Sequence, residues 1–155
     1  MKTDAKGKVR AYADGLGERP YSDHIGGVVR NNVIFNRKGV HLESGIELMN
    51  VLGTRVEHNT VVSHDPPFSS IEYRWPDTRV EVVNNVVSHR IRGRNQAQGL
   101  LKRNLESAPP EWFVDHSGGD LRPKASSAPL QGCEGRIGNL QLELKQSGTS
   151  ALGKD

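Results

Sequence analysis

The stretch RVEHNTVVSHDPPFSSIEYRWPDTRVEVVNNVVSH, residues 55–89, contains two copies of one short pattern. In each copy an aliphatic residue is followed by asparagine three positions later and by another aliphatic residue two positions beyond that. A third copy lies in VVRNNVIF at residues 28–35, and a weaker fourth lies in GLLKRNLES at residues 99–107. A repeated sequence predicts a repeated structural unit. The asparagines that define the repeat are Asn32, Asn59, Asn85 and Asn104, in steps of 27, 26 and 19 residues.

A second element recurs with nearly the same period. GIELMN at residues 45–50 and SIEYRW at residues 70–75 place Glu47 over Glu72 and Leu48 over Tyr73. Both kinds of element are short, rich in Val and Ile, and bounded by Gly, Pro, Asp or Ser, which is typical of strands rather than helices. A period of this length with several short strands and no helix predicts an all-β fold, a short parallel β-helix of about four coils. Asparagine at each bend tolerates an unusual backbone and can hydrogen-bond to its copy in the next coil, which predicts a ladder.

On these repeats the chain resembles the right-handed parallel β-helix repeat family, which includes pectate-lyase-like and alginate- or chondroitin-lyase-like carbohydrate enzymes. The segment EWFVDHSGGDLRPKASSAPLQG at residues 111–132 is similar to the "gDfrLkpgSPaidaG" segment that closes many such chains. It differs from that closing segment at Pro123, where an apolar residue is usual, and in SSAPLQG, which replaces a turn similar to SPAIDAG. The resemblance covers roughly residues 26–132. It implies a right-handed coil and a likeness to the C-terminal coils of a longer member, and family members are often exported.

The chain divides into three predicted parts: a polar N-terminal arm or cap at 1–25, the repeats with their closing segment at 26–132, and an extra strand with a loose tail at 133–155. Residues 1–15 are expected to be disordered because they are polar and rich in charge. Trp112 and Phe113 are expected to plug the last coil. Alternating aliphatic residues in RIGNLQLELKQ, residues 136–146, predict the extra strand.

Composition excludes several function classes. The chain has 155 residues with 34% hydrophobic and 5% aromatic residues, which indicates one domain with an aliphatic core. The net charge of +3 comes from scattered arginines, so nucleic acid is not an expected partner. No apolar run reaches membrane-spanning length, and the first residues contain no apolar segment of a signal peptide, so neither a membrane partner nor a visible export signal is expected; the compartment stays open. Cys133 is the single cysteine, and the histidines lack tight ligand spacing, so neither a metal nor another cofactor is expected.

Paired carboxylates form the first candidate catalytic site. Glu47 and Glu72 are predicted to stack on the outer face about one strand spacing apart, roughly 4.8 Å. Two carboxylates so placed could act as acid and base on a glycosidic bond. Alternatively they are ordinary glutamates on a solvated face, neutralised by Arg74.

His64 and His89 close the matching VVSH strings and form the second candidate. If they stack, a cluster of His, Asp and Arg could abstract a proton from a uronic acid and neutralise its carboxylate. Aligning the VVSH strings would pair Asn59 with Asn84 rather than with Asn85, so the register is ambiguous by one residue. The alternative is that both histidines are turn residues at strand ends.

The third candidate is a substrate-binding surface. Trp75 offers a flat apolar face for a sugar ring, and nearby arginines could pair with acidic groups. The alternative is that Trp75 packs under its loop and the arginines form a solubilising rim. The predicted binding residues are Arg74, Trp75, Arg90, Arg92 and Arg94.

Two functions remain open. A non-catalytic or vestigial β-helix module would bind acidic polysaccharide or serve as a scaffold. Alternatively the chain is a carbohydrate-active enzyme, resembling a lyase, hydrolase or epimerase, that acts on acidic polysaccharide. The first is favoured because the groove is short and no complete acid–base set is recognisable. A homo-oligomer is also expected, because the first coil would expose strand edges together with Val28, Val29, Val33 and Ile34. The alternative is a monomer in which residues 1–25 fold back over the first coil as a cap.

Overall fold

The structure is a computed structural model that describes residues 22–124 and, beyond them, Ser127 and Gly138. The predicted disorder of residues 1–15 and most of the predicted strand at 136–146 lie outside this part. The regular structure of the described residues is almost entirely β. The strands are β1 (His24–Ile25), β2 (Val28–Arg30), β3 (Val33–Asn36), β4 (Ser44–Met49), β5 (Val51–Glu57), β6 (Thr60–Ser63), β7 (Ser69–Arg74), β8 (Arg79–Val83), β9 (Val86–Val87), β10 (Ile91–Arg94), β11 (Gln98–Lys102), β12 (Phe113–Asp115) and β13 (Asp120–Pro123), with a 3₁₀ turn at Pro110–Trp112.

Three parallel sheets each take every third strand. Sheet 1 contains β5, β8 and β11 in that order, with β1 and β2 both paired to β5. Sheet 2 contains β3, β6 and β9, and sheet 3 contains β4, β7 and β10. The final pair, β12 and β13, is antiparallel. The predicted all-β class is confirmed, and the stacked parallel sheets are consistent with a β-solenoid.

The strand register agrees with the sequence repeat. In sheet 3, Ile46 pairs with Ile71, Glu47 with Glu72, and Leu48 with Tyr73, as the repeat predicts. In sheet 2, Val61 pairs with Val87, so the asparagine register is the one formed and the VVSH strings are offset by one residue.

The core between the sheets is aliphatic. Val56 and Val82 are paired in sheet 1 and are fully buried, as is Ile71 in sheet 3. Burial of such side chains stabilises the fold by about 1.5–3 kcal/mol each. The buried members of this cluster are Ile46, Leu48, Val51, Val56, Val61, Ile71, Tyr73, Val80, Val82, Val87 and Ile91.

Tyr73 is the one aromatic member of that cluster, and two glycines make room for it. A Cβ atom at Gly93, which pairs with Tyr73, would lie 2.5 Å from the Tyr73 ring. A Cβ atom at Gly99 would lie equally close. The ring therefore occupies the space that the next coil leaves empty. Burial raises the pKa of Tyr73, and the charge of Glu106 raises it further.

The repeated asparagines form a hydrogen-bonded ladder at the bend between sheets 1 and 2. Nδ2 of Asn32 donates to Oδ1 of Asn59, Nδ2 of Asn59 donates to Oδ1 of Asn85, and Nδ2 of Asn85 donates to Oδ1 of Asn104, each at 2.9 Å. The backbone N–H of each donor residue bonds to the same oxygen. Asn59 and Asn85 have no exposed surface.

The unusual backbone of this bend belongs to a different residue from the one expected. Positive φ occurs at the residue before each ladder asparagine, not at the asparagine itself. The ladder position therefore needs the amide for its hydrogen bonds, while its predecessor takes the left-handed conformation. These predecessors are Asn31, His58, Asn84 and Arg103.

The expectation that Trp112 and Phe113 plug the last coil is wrong. Phe113 packs with Val62 and Val86 on the outer face of sheet 2, and Trp112 packs against the same cluster. We call residues 108–122 the covering segment, because its residues Phe113 and Leu121, each only 2% exposed, pack with these valines. The two aromatic residues lie beside sheet 2 because its outer face carries Val62 and Val86, which need an apolar cover.

The predicted N-terminal arm includes a strand, since His24 and Ile25 pair with Val51 and Leu52 of β5. Of the four aliphatic residues expected to be exposed in the first coil, Val28 and Val33 are exposed, but Val29 and Ile34 pack against the core. Within the described part of the chain no helix is long and apolar enough to cross a membrane.

Candidate functional site

The outer face of sheet 3 brings together five predicted site residues. Alternation along β4, β7 and β10 directs isoleucine and leucine into the core and charged residues outward. The register then aligns Glu47, Glu72 and Arg92 in one row and places Arg74 beside Arg94 in the next. We call Glu47, Glu72, Arg74, Arg92 and Arg94 the arginine face.

Glu72 was expected on a solvated surface, but it has no exposed surface. Its Oε1 accepts a hydrogen bond from Nε of Arg94 at 2.6 Å, and Nη1 of Arg74 lies 4.0 Å away. Its Oε2 accepts from the Ser44 hydroxyl at 3.2 Å. The buried carboxylate of Glu72 therefore holds Arg94 by a direct hydrogen bond and attracts Arg74. Loss of the Glu72 carboxylate would leave the charge of Arg94 without this partner.

Glu47 is more accessible, and it too is paired. Nη2 of Arg74 lies 2.6 Å from Oε1 of Glu47, and this pair is partly exposed. The two glutamates are therefore adjacent, with Arg74 between them.

Phe68, which sequence reasoning missed, lies over the arginine face. The guanidinium carbons of Arg92 and Arg94 are each 4.6 Å from the centroid of its ring, and Phe68 remains 39% exposed. Such contacts are favourable cation–π interactions. The only sequence signal was an aromatic residue just before a strand, in the loop HDPPFSS, which does not specify the direction of the ring.

Trp75 lies in the turn that follows β7, with a left-handed backbone at φ 86°. The equivalent turn positions, after Met49 and after Arg94, hold Asn50 and Asn95, which also have positive φ. Asparagine is suited to this conformation and tryptophan is not. The guanidinium carbon of Arg74 lies 5.6 Å from the Trp75 ring.

His64 and His89 contact different partners. The ring of His64 lies 5.8 Å from that of His116 in the covering segment, and its Nδ1 lies 3.6 Å from Asp65. Nδ1 of His89 instead lies 2.8 Å from the Ser88 hydroxyl. Burial lowers the pKa of His89. The one-residue offset of the VVSH strings explains why the two histidines take different environments.

Arg90 does not join the face through any side-chain contact found among the described residues. It is exposed, and its carbonyl accepts a hydrogen bond from the backbone N–H of Ser70 at 2.9 Å. Its guanidinium therefore extends from the loop between β9 and β10.

A small cleft of about 260 Å³ lies between the loop after β3 and the loop after β6. Asp65 forms part of its wall, and one of its carboxylate oxygens accepts a hydrogen bond from the Gly39 N–H at 2.5 Å. Asn36 fixes the same loop by donating to the Val40 carbonyl at 2.6 Å. The lining residues are Gly39, Val40, His41, Leu42, Asp65 and Pro66.

Metal ligands are not clustered in the described residues, where no group of three His, Cys, Asp or Glu side chains could hold a metal ion. Cys133 lies outside this part. The side chains of the arginine face contact one another through ion pairs, and Arg92 and Arg94 stack on Phe68.

Comparison with protein-family models finds no match for the chain. Comparisons with curated proteins and with solved structures find no significant match either.

Proposed function

We propose that the chain is a short right-handed parallel β-helix of about four coils that binds acidic glycan through the arginine face. The topology supports this coil, because from β2 to β11 each sheet takes every third strand, and paired residues recur at nearly the spacing of the ladder asparagines. The handedness rests on the resemblance to β-helix repeat proteins and on the strong preference of parallel crossovers for the right hand.

The arrangement of Phe68 with Arg92 and Arg94 carries the functional proposal. Arg94 is bound to Glu72, whereas Arg92 has its ring contact and no carboxylate partner among the described residues. An arginine held flat by an aromatic ring keeps N–H donors for a carboxylate or sulfate group. The exposed part of the Phe68 ring adds an apolar surface for the C–H groups of a sugar.

Trp75 supports the same surface from the adjoining turn. A tryptophan in a left-handed turn is strained by about 1 kcal/mol or more, and such strain is often found at binding sites. Asparagine occupies the equivalent position in both neighbouring turns. Binding of a ligand would explain why tryptophan is present at this position instead.

The enzymatic alternative has weaker support. A general acid or base must reach the proton that it transfers, and Glu72 is enclosed by Arg94 and Ser44. His64 and His89 have separate partners, so neither completes an acid–base set with the glutamates. A binding module or scaffold is therefore the preferred function, with neither nucleic acid nor a membrane as its partner and with self-association through the exposed end coil.

Titration with acidic polysaccharides at low and at moderate salt tests the binding proposal. We expect Arg92→Ala and Phe68→Ala to weaken binding about tenfold or more, because each removes a charged or stacking contact. Rising salt should weaken binding by the unaltered chain, since screening acts on the same contact.

Arg30→Ala is the matched control. Arg30 is exposed on β2 in a different sheet, so this variant lowers the net charge equally without touching the arginine face. Equal losses in Arg30→Ala and Arg92→Ala would indicate general charge attraction and contradict a defined site. Full binding by a variant that combines Trp75→Ala with Arg92→Ala would place the site elsewhere, and no binding to any acidic polysaccharide would favour the scaffold.

A further inference from the structure

The cleft between the loops after β3 and β6 has a carboxylate, Asp65, in its wall, whereas the arginine face carries three arginines. Its volume of about 260 Å³ is slightly below the roughly 300 Å³ at which drug-sized sites begin, so it suits a single sugar ring. Val40, Leu42 and Pro66 provide apolar walls, and Asp65 and His41 provide polar groups. This mixture is what a pyranose presents, with C–H groups on its faces and hydroxyls around its edge.

The hydrogen bonds around the cleft hold its two loops together. The Gly39 N–H donates to Asp65, which ties the tip of the first loop to the second. The Ser63 hydroxyl donates to the Asp65 carbonyl at 2.6 Å, and Asn36 donates to the Val40 carbonyl. Both loops are thus fixed by side chains at the ends of β3 and β6, so little ordering would be needed when a ligand binds.

Asp65 determines what kind of sugar the cleft accepts. A carboxylate accepts hydrogen bonds from hydroxyl groups and repels another carboxylate or a sulfate. The Asp65 side chain is 44% exposed, with Oδ2 held by the Gly39 N–H and Oδ1 3.6 Å from Nδ1 of His64, beyond hydrogen-bond distance, so Oδ1 can still accept from a ligand. The cleft is therefore suited to a neutral sugar and unsuited to an acidic one.

The cleft and the arginine face are also close neighbours. Pro66 lines the cleft, and Phe68, two residues further along the same loop, carries Arg92 and Arg94 on its ring. Two residues of extended chain span at most about 7 Å. A glycan that places one ring over Phe68 would therefore bring a nearby ring to the cleft.

We propose that the preferred ligand is a heteroglycan in which acidic and neutral sugars adjoin, with the acidic unit at Arg92 and Phe68 and the neutral unit at Asp65. This inference rests on the proposed function, because it assigns the acidic unit to the arginine face. It adds that a polymer composed only of acidic sugars binds less well, since one of its carboxylates would face Asp65.

The test compares two oligosaccharides of equal length by titration calorimetry at low salt. A hyaluronan hexasaccharide alternates uronic acid with a neutral N-acetylated amino sugar, and a polygalacturonate hexasaccharide is acidic at every unit. The unaltered chain should bind hyaluronan more tightly. Asp65→Asn should weaken hyaluronan binding about tenfold and strengthen polygalacturonate binding, because the amide is a weaker acceptor and carries no charge.

Two further variants make the result specific. Val40→Lys is the first, at an exposed position of the cleft, where added positive charge should strengthen polygalacturonate binding. Like Asp65→Asn, in which the side-chain oxygen can still accept from the Gly39 N–H, it leaves the bond between the two loops possible. Glu111→Gln is the control, because it removes one negative charge from an exposed position in the covering segment. Its effects on both ligands should be equal and small.

The possible outcomes separate the two proposals. If Asp65→Asn leaves both affinities unchanged while Arg92→Ala abolishes binding, the arginine face is supported and the neutral-sugar cleft is wrong. Tighter binding of polygalacturonate than of hyaluronan by the unaltered chain would also overturn the cleft. If neither oligosaccharide binds the unaltered chain, the proposed glycan-binding function fails and this inference fails with it.

Discussion

Each asparagine within the ladder uses its amide in two directions. Oδ1 of Asn59 accepts from the backbone and side chain of Asn32, and its Nδ2 donates to Asn85 and to the carbonyls of Val29 and Glu57. Aspartate lacks the donors and serine lacks the reach to make all of these bonds. The repeated asparagine is therefore a structural requirement of the bend.

Replacement of Asn59 by alanine should lower the free energy of unfolding by about 1–3 kcal/mol, because buried carbonyl and N–H groups lose their partner. Chemical denaturation followed by circular dichroism measures this change. Asn32→Ala is the comparison, since Asn32 is exposed at the end of the ladder and its loss should cost less. Equal stability of Asn59→Ala and the unaltered chain would contradict a stabilising role for the ladder.

Trp75→Asn should separate stability from binding. Asparagine relieves the left-handed strain of this turn, so the free energy of unfolding should rise by about 1 kcal/mol. Glycan affinity should fall because the ring is lost. Denaturation and titration of the same sample measure both changes.

Trp75→Ala is the matched variant for this test. It also lacks the ring, but alanine has no polar side chain to hydrogen-bond locally in the left-handed conformation as asparagine does, so affinity should fall without the gain in stability. A lower stability in Trp75→Asn than in the unaltered chain would show that the tryptophan side chain stabilises the turn.

Sequence repetition predicts which residues stack, because paired positions recur at one period, but it does not predict what covers them. Glu72 lies in the outward row, as expected for its alternation, yet Arg94 and Ser44 enclose it. Phe68 lies over Arg92 and Arg94, but it belongs to a loop whose conformation the repeat does not specify. Residues that come from the loops are therefore the part of the candidate site that sequence alone could not locate.

At the scale of elements, the covering segment is held to sheet 2 by apolar contacts and by a histidine between aromatic rings. His116 lies 6.3 Å from the rings of both Phe35 and Phe113, and 5.8 Å from His64. The sequence predicted a closing segment at 111–132, but the similarity could not show which surface it closes. That surface is the outer face of sheet 2. It carries valines that alternate along the fully buried β6 with valines directed into the core, and these outer valines need an apolar cover.

Acidification should loosen the covering segment. Burial lowers the pKa of His116 from its ordinary value of 6.5, His64 lowers it further, and Asp115 partly opposes both. The folded state favours the neutral imidazole of His116 more than the unfolded state does. The stabilisation that the neutral imidazole contributes is therefore complete above the pKa that His116 has in the unfolded state. It is lost as the pH falls below about 6.5, where the unfolded or opened segment takes up the proton.

Acrylamide quenching of Trp112 in a Trp75→Phe background measures this opening between about pH 8 and about pH 5.5. Quenching should increase at the lower pH in that variant and change much less after His116→Gln. His41→Gln, at an exposed position outside the segment, is the control and should keep the full pH response. An unchanged pH response in His116→Gln would assign the effect to other groups.

At the scale of the whole molecule, strands stacked in parallel sheets bury apolar surface against their neighbours, so exposed apolar surface is expected on the first and last strands. β11 is exposed along its whole length, including Leu100 and Leu101. At the other end, Val28 is 55% exposed, and Val33 is 43% exposed whereas Thr60 and Val86, its equivalents in the next two strands of sheet 2, are buried. Among the described strands none pairs with the outer edges of β2, β3 or β11, so these edges offer backbone groups and apolar side chains for pairing.

We expect this exposed end to self-associate, and Val28→Lys should weaken the association. A lysine at this exposed edge position adds a charge that opposes strand pairing between copies but leaves the inward Val29 in the core. Light scattering coupled to size exclusion should give about twice the 17.1 kDa chain mass for the unaltered protein, and a mass near that of one chain for the variant. Val114→Lys is the control, because Val114 is 45% exposed on β12 in the covering segment, and it should leave the doubled mass intact. A single-chain mass for the unaltered protein across a wide concentration range would contradict association, and loss of the doubled mass in both variants would move the interface away from the first coil.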